Sequence, residues 1–135
     1  MKRYLLDTGI AGRYVNRRNG VLERVKAEMA RGNRVGIGIT VFAELYFGIE
    51  FSHSREKSLQ RLRVALPTLS IWPFTDIAAV KYGEVAADLR RRGRTIQQND
   101  IQIAAIALTL GRCTVVSMDN DLKAVEGLVV ENWIT

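Results

Sequence analysis

The sequence predicts an α/β domain, a mostly parallel central sheet of about five strands flanked by helices on both faces. Two observations carry this reading. Five short apolar runs, RYLLD, VGIGI, LSIW, CTVVS and LVVE, are spread along the 135 residues, and stretches with apolar residues three or four apart lie between them. Strands that alternate with helices in this way build open, mostly parallel sheets. No repeat, low-complexity tract or second domain interrupts the chain, so residues 1–135 are expected to fold as one unit.

Taken in order, Arg3 to Asp7 reads as a strand ended by an acid, with Thr8 and Gly9 as a tight turn. The segment around Arg13 to Asn19 shows no clear pattern. Gly20 then opens a helix whose Val21, Val25 and Met29 recur every four residues, and Gly32-Asn33 stop it. Val35 to Ile39 is the second strand, its glycines permitting close approach of a neighbour. Thr40 is placed to cap a helix that runs to about Phe51 and is apolar over most of its circumference, through Val41, Phe42, Leu45, Tyr46, Phe47 and Ile49. Glu44 interrupts that surface, one position too late to serve in a capping box.

Ser54 to Leu66 reads as a helix with Leu59, Leu62 and Leu66 inward, ended by Pro67, and Leu69 to Trp72 as the third strand. A long amphipathic helix follows from Thr75 to Arg92, with Ala78, Tyr82, Val85 and Leu89 inward. It finishes in Arg90-Arg91-Arg92-Gly93-Arg94, which suits both helix-end chemistry and a contact with an RNA backbone or a partner. Asp100 to Leu110 is a helix without a charged face, and a helix that is apolar all round is a buried one. Asp100 therefore reads in two ways, as a first-turn acid facing the helix dipole or as a carboxylate carried against the core. Cys113 to Ser117 is the fourth strand, a short helical turn spans Leu122 to Val125, and Leu128 to Glu131 is the last strand.

Composition excludes several classes. No apolar run approaches the ~18 residues of a membrane span, and the N-terminus is too short and too acidic for a signal peptide, so a cytoplasmic protein without a membrane partner is expected. The single cysteine, Cys113, lies in a strand and suggests neither disulfide nor nucleophile. Fifteen of the 20 basic residues are arginine against 14 acids, an excess that points to phosphate contact and a nucleic-acid partner but equally occurs in proteins whose partner is an acidic protein.

In an open α/β sheet the functional crevice lies beyond the carboxyl ends of the strands. Asp7 and Asp119 follow two of the strands, and Glu44 and Asp100 sit near the starts of two helices entering from that edge. Four carboxylates are thus expected to converge. Like charges 4 Å apart repel by roughly 4 kcal/mol at an effective dielectric of 20, so the cluster calls for protonation or a cation. Oxygen ligands without His or Cys suit Mg²⁺ or Mn²⁺, and the lone His53 makes no zinc site. Asp121 is an accessory acid or a turn former. Leu5-Leu6-Asp7-Thr8-Gly9 also matches the triplet of retroviral-type aspartic proteases, but those are all-β and this chain is rich in helical patterns. Neither G-x-x-x-x-G-K-[ST] nor G-x-G-x-x-G occurs.

The order and spacing of YLLDT, ITVFAELYFGIE, LRRRGR, NDIQIAAIAL, VVSMDNDL and EGLVVENW give a resemblance, over nearly the whole chain, to PIN-domain proteins of the VapC toxin type. That resemblance implies a Rossmann-like PIN fold and a Mg²⁺-dependent ribonuclease, with Mn²⁺ as a substitute. It implies Asp7, Glu44, Asp100 and Asp119 as the catalytic and metal-binding acids and Thr8, Ser117 and Asp121 as auxiliary groups. Arg91, Arg92 and Arg94 are expected to touch RNA. The resemblance further implies a homodimer, a cognate VapB-like antitoxin, and cleavage that leaves 3′-hydroxyl and 5′-phosphate ends. Gly9 stands where the family usually has Asn, and Ser117 where it commonly has Thr. The alternative is a non-catalytic module of the same fold that binds RNA or a protein through its arginines.

Overall fold

The structure is a computed structural model, which describes residues 1–134. Five parallel strands, β1 (Arg3–Leu6), β2 (Arg34–Gly38), β3 (Ser70–Trp72), β4 (Cys113–Val116) and β5 (Val129–Glu131), form one sheet in the order β3-β2-β1-β4-β5. β1 is its middle strand, pairing Arg3 with Arg34 on one side and Arg3 with Cys113 on the other. Tyr4, Leu5 and Leu6 are all buried, as the inner strand of a parallel sheet covered on both faces requires. The outer strands β3 and β5 are three residues each, which leaves little open edge.

Six helices flank the sheet: α1 (Thr8–Val15), α2 (Val21–Ala30), α3 (Ile39–Glu50), α4 (Arg55–Ala65), α5 (Asp76–Arg91) and α6 (Gln98–Leu110). α1 packs on α2, α3 and α4, α5 packs on α6, and α3 touches both groups. Right-handed crossovers put the helices that link β1, β2 and β3 on one face and the pair between β3 and β4 on the other. Gly36 lets β2 and β3 come together, because a Cβ at that position would overlap the Ser70 carbonyl and lie 2.8 Å from its carbonyl carbon. Among the described residues no helix is long and apolar enough to cross a membrane.

Four expectations are corrected. Residues 8–15 are helical, not a turn followed by unpatterned chain: Asp7 caps them, and Ile10, Ala11 and Tyr14 pack inward. α3 starts at Ile39 with Gly38 as its cap, so Thr40 lies inside the first turn, with a buried hydroxyl that has no partner among the described residues. Phe47 points outward, 66% exposed and edge-on to Phe51 at 5.0 Å. In α2 the inward partner of Val21 and Val25 is Glu28, and Met29 is exposed.

Glu28 is only 3% exposed yet fully paired, accepting from Arg24 Nε at 2.9 Å, Arg31 Nη1 at 3.0 Å and Asn33 Nδ2 at 3.0 Å. Burial alone would raise its pKa. The hydrogen bonds from Arg24 and Asn33 and the charges of Arg24 and Arg31 outweigh it and hold the carboxyl below its usual range. Glu28→Gln is therefore expected to cost about 1–3 kcal/mol at neutral pH, the cost of a charge-assisted bond to a buried acceptor. A depressed carboxyl stabilises above its unfolded pKa, so this difference from wild type should shrink as pH falls below 4.5, which urea titrations at pH 7 and 3.5 would read.

Candidate active site

The strand order reverses at β1: β2 and β3 extend the sheet one way, β4 and β5 the other. Such a switch point opens a crevice at the carboxyl ends of the strands, and Asp7 lies at its centre. The Asp7 amide donates to Val116 O at 3.0 Å, and its Oδ1 accepts from the Ile10 amide at 2.9 Å as the cap of α1. Ser117, 2% exposed at the end of β4, stands beside two acids. Its Oγ accepts from the Asp119 amide at 2.9 Å, and its hydroxyl also helps to hold down the pKa of Asp7. Asp119 Oδ1 then accepts from the Asp121 amide at 2.9 Å, capping a short 3-10 turn, Asn120–Ala124.

Asp100 is the third residue of α6, half-buried at the helix start. Its pKa is raised to about 6, first by burial and then by the charges of Asp119, Asp7, Asp121 and Glu44. Asp7 is also raised, by burial and by Asp119, against the Ser117 and Ile10 hydrogen bonds and the charge of Arg13. Burial raises Glu44 too, aided by Asp7 and opposed by the Thr8 hydroxyl. The structure thus brings Asp7, Glu44, Asp119 and Asp121 within the field of Asp100, with Thr8 beside Glu44 and Ser117 beside Asp7 and Asp119.

These carboxylates are neighbours through their fields and do not form a closed cage: among the described residues, no three His, Cys, Asp or Glu side chains make a ready metal-binding group. The donor set nonetheless fits a hard cation. Glu44 Oε1 is buried without a hydrogen-bond partner among the described residues, and a bare carboxylate oxygen facing other acids is costly without an opposite charge.

The predicted RNA contacts separate. Arg92 is held by Asp88 at 2.8 Å and by the Ala124 carbonyl at 2.6 Å, which fastens the end of α5 to the turn carrying Asp121. Arg91 and Arg94 are exposed and form no ion pair among the described residues. Cys113 is half-buried, its thiol pushed up to about 12 by burial, which suits an inert side chain. Sequence reasoning missed Arg13, whose Nη1 donates to the Gly9 carbonyl at 3.0 Å. Reading residues 8–15 as a helix would have placed it one turn above Gly9.

The PIN domain family model matches residues 4–128. The Ribonuclease VapC2 of Haemophilus influenzae is 31% identical over 134 residues, covering 99% of this chain and 100% of that protein. The Ribonuclease VapC2 of Rickettsia felis is 29% identical over 130 residues, covering 96% and 97%. The solved structure of VapBC2 from Rickettsia felis, bound to a DNA fragment from their promoter, matches with a TM-score of 0.89 and 28% identity, over 97% of this chain and 98% of that one. The family model spans the chain from β1 to the last residue before β5, with every acid of the crevice inside it, and the chain belongs to the PIN domain family.

Proposed function

We propose that this chain is a VapC-type ribonuclease, the toxin of a toxin-antitoxin pair, restrained by a cognate VapB-like antitoxin and dependent on Mg²⁺ or Mn²⁺. The observation that carries the catalytic reading is the convergence of acids on Asp100, four of which raise its pKa beyond what burial does. The names of the relatives, ribonucleases along their full length, support the substrate class, and the VapBC structure supports the partner. The homodimer and the cytoplasmic location rest on the family resemblance.

Asp7 and Asp100 would hold the ion most directly, with Glu44 and Asp119 completing the set. A divalent ion there offsets the repulsion of the carboxylates and supplies Lewis acidity toward the phosphodiester. The chain's own part is placement. Ile10 fixes Asp7, Ser117 fixes the Asp119 loop, and the buried body of α6 aims Asp100. Water attacks phosphorus and the P–O3′ bond breaks, leaving 3′-hydroxyl and 5′-phosphate ends.

Purified protein incubated with total RNA is expected to cleave it with Mg²⁺ and to stop with EDTA. Mg²⁺ at about 100 times its dissociation constant should also stabilise the fold by about 2.7 kcal/mol, read as a higher melting temperature. Cleavage indifferent to EDTA would refute the metal dependence, and RNA binding without cleavage under any divalent ion would favour the binding-module alternative.

A further inference from the structure

We propose that Met118 is the platform on which an unpaired base of the RNA substrate rests, the base of a nucleotide that flanks the scissile phosphate. This rests on the ribonuclease reading above. Met118 stands between Ser117 and Asp119 in the loop that follows β4, and its Cε reaches across to the first turn of α1. There it comes within 3.6 Å of where a Cβ on Gly9 would stand, and Asp7 Oδ1 lies 3.8 Å from that same point. The thioether is therefore beside Asp7 in space and beside Asp119 in sequence, two of the acids of the crevice. A phosphate attacked at that cluster is covalently joined to a nucleoside on each side, so a base must lie within one nucleotide's reach of Met118.

A single exposed apolar side chain is ordinary on a protein surface. Met118 differs in its setting. It is 41% exposed and stays out of the core, although the backbone around it is held: the Ser117 amide donates to Glu131 O at 2.9 Å and the Asp119 amide to Ser117 Oγ at 2.9 Å. Gly9 keeps it uncovered. The φ of Gly9 is not positive and an added Cβ would meet only ordinary contacts, so neither backbone nor crowding calls for glycine at this exposed helical position. What its bare backbone does permit is the close approach of a ligand. A thioether has nothing to offer a phosphate, whereas a base presents a flat aromatic face that sulfur contacts favourably. Resting splayed-out bases on side chains is also how proteins hold single-stranded RNA.

The test pairs Met118→Ala and Met118→Leu with substrates that lack one base. The wild-type cleavage site is mapped with Mg²⁺ on a single-stranded RNA of mixed sequence. A short RNA spanning it is then made intact, or abasic on the 5′ or the 3′ side of the scissile phosphate. Affinity is followed by fluorescence anisotropy in EDTA, and KM by cleavage with Mg²⁺. Met118→Ala is expected to weaken binding of the intact RNA about fivefold, the worth of a thioether–aromatic contact, with a matching rise in KM. With one of the two abasic RNAs, wild type and Met118→Ala should bind equally, because the partner of Met118 is already gone. Met118→Leu, which keeps the apolar reach, should recover most of the affinity. If Met118→Ala equals wild type in affinity and KM on intact RNA, only this inference fails. If it weakens the intact and both abasic RNAs alike, Met118 supports the loop rather than a base, and the assignment is again wrong. A wild type that cleaves no RNA overturns the ribonuclease reading and this inference together.

Discussion

Replacing Asp100 by Asn is expected to lower RNA cleavage at least about 10²-fold while leaving the protein folded, and in cation-free buffer at pH 7.5 more stable than wild type. The activity loss follows from removing the charge on which the other acids of the crevice converge, in a reaction where positioned acids and metal ligands are worth 10² or more. The gain in stability follows from the same charge. A first-turn carboxylate ordinarily gains from the helix dipole, but the pKa of Asp100 stands at about 6 against 3.8, so burial and repulsion exceed that gain. Because the folded state binds the extra proton, wild-type stability should fall as pH rises from about 4 to about 6 and be level above. The Asn variant should lack that decline, and the difference between the two pH curves isolates the group. Full cleavage by the variant, or a variant less stable than wild type at pH 7.5, would remove Asp100 from the site and leave it a plain helix acid.

The second large effect belongs to the sheet. Gly36→Val should cost about 3 kcal/mol or more, because the clash is with the backbone of Ser70 in the paired strand and no rotamer relieves it. For a chain of this size that is about 10 °C in melting temperature. Differential scanning calorimetry decides it, and a variant that melts within a degree or two of wild type would mean that β3 can move away. Gly12, which has nothing within 4 Å of an added Cβ, is the contrasting position, where Ala should be harmless or stabilising.

Most of the fold was legible because its strands are buried runs and its helices carry regular inner stripes. Leu59, Leu62 and Leu66 sit inward as their spacing predicts, and Ala78, Val85 and Leu89 do so on α5. α1 was illegible because Gly9 and Gly12 dilute its pattern to Ile10, Ala11 and Tyr14, and its start depends on Asp7 as a cap. The inward turn of Glu28 was equally hidden. A buried acid reads as a surface one until its partners are known, and Asn33 lies outside the helix that carries it. The meeting of Asp7, Asp100 and Asp119 could be expected from topology alone, since parallel strands bring their carboxyl ends to one edge. What topology cannot supply is the linkage through Ser117 or the guanidinium of Arg13, because both depend on side-chain direction within a few ångströms.

The central position of β1 also governs when the enzyme comes into being. Of the five strands β1 is made first and needs neighbours on both sides, and Asp7 does not meet Asp119 until β4 has been made and paired with it. Such distant pairing is slow to form. A chain that stops before β4 therefore leaves Asp7 without Asp119, so the acid cluster is completed only late in synthesis.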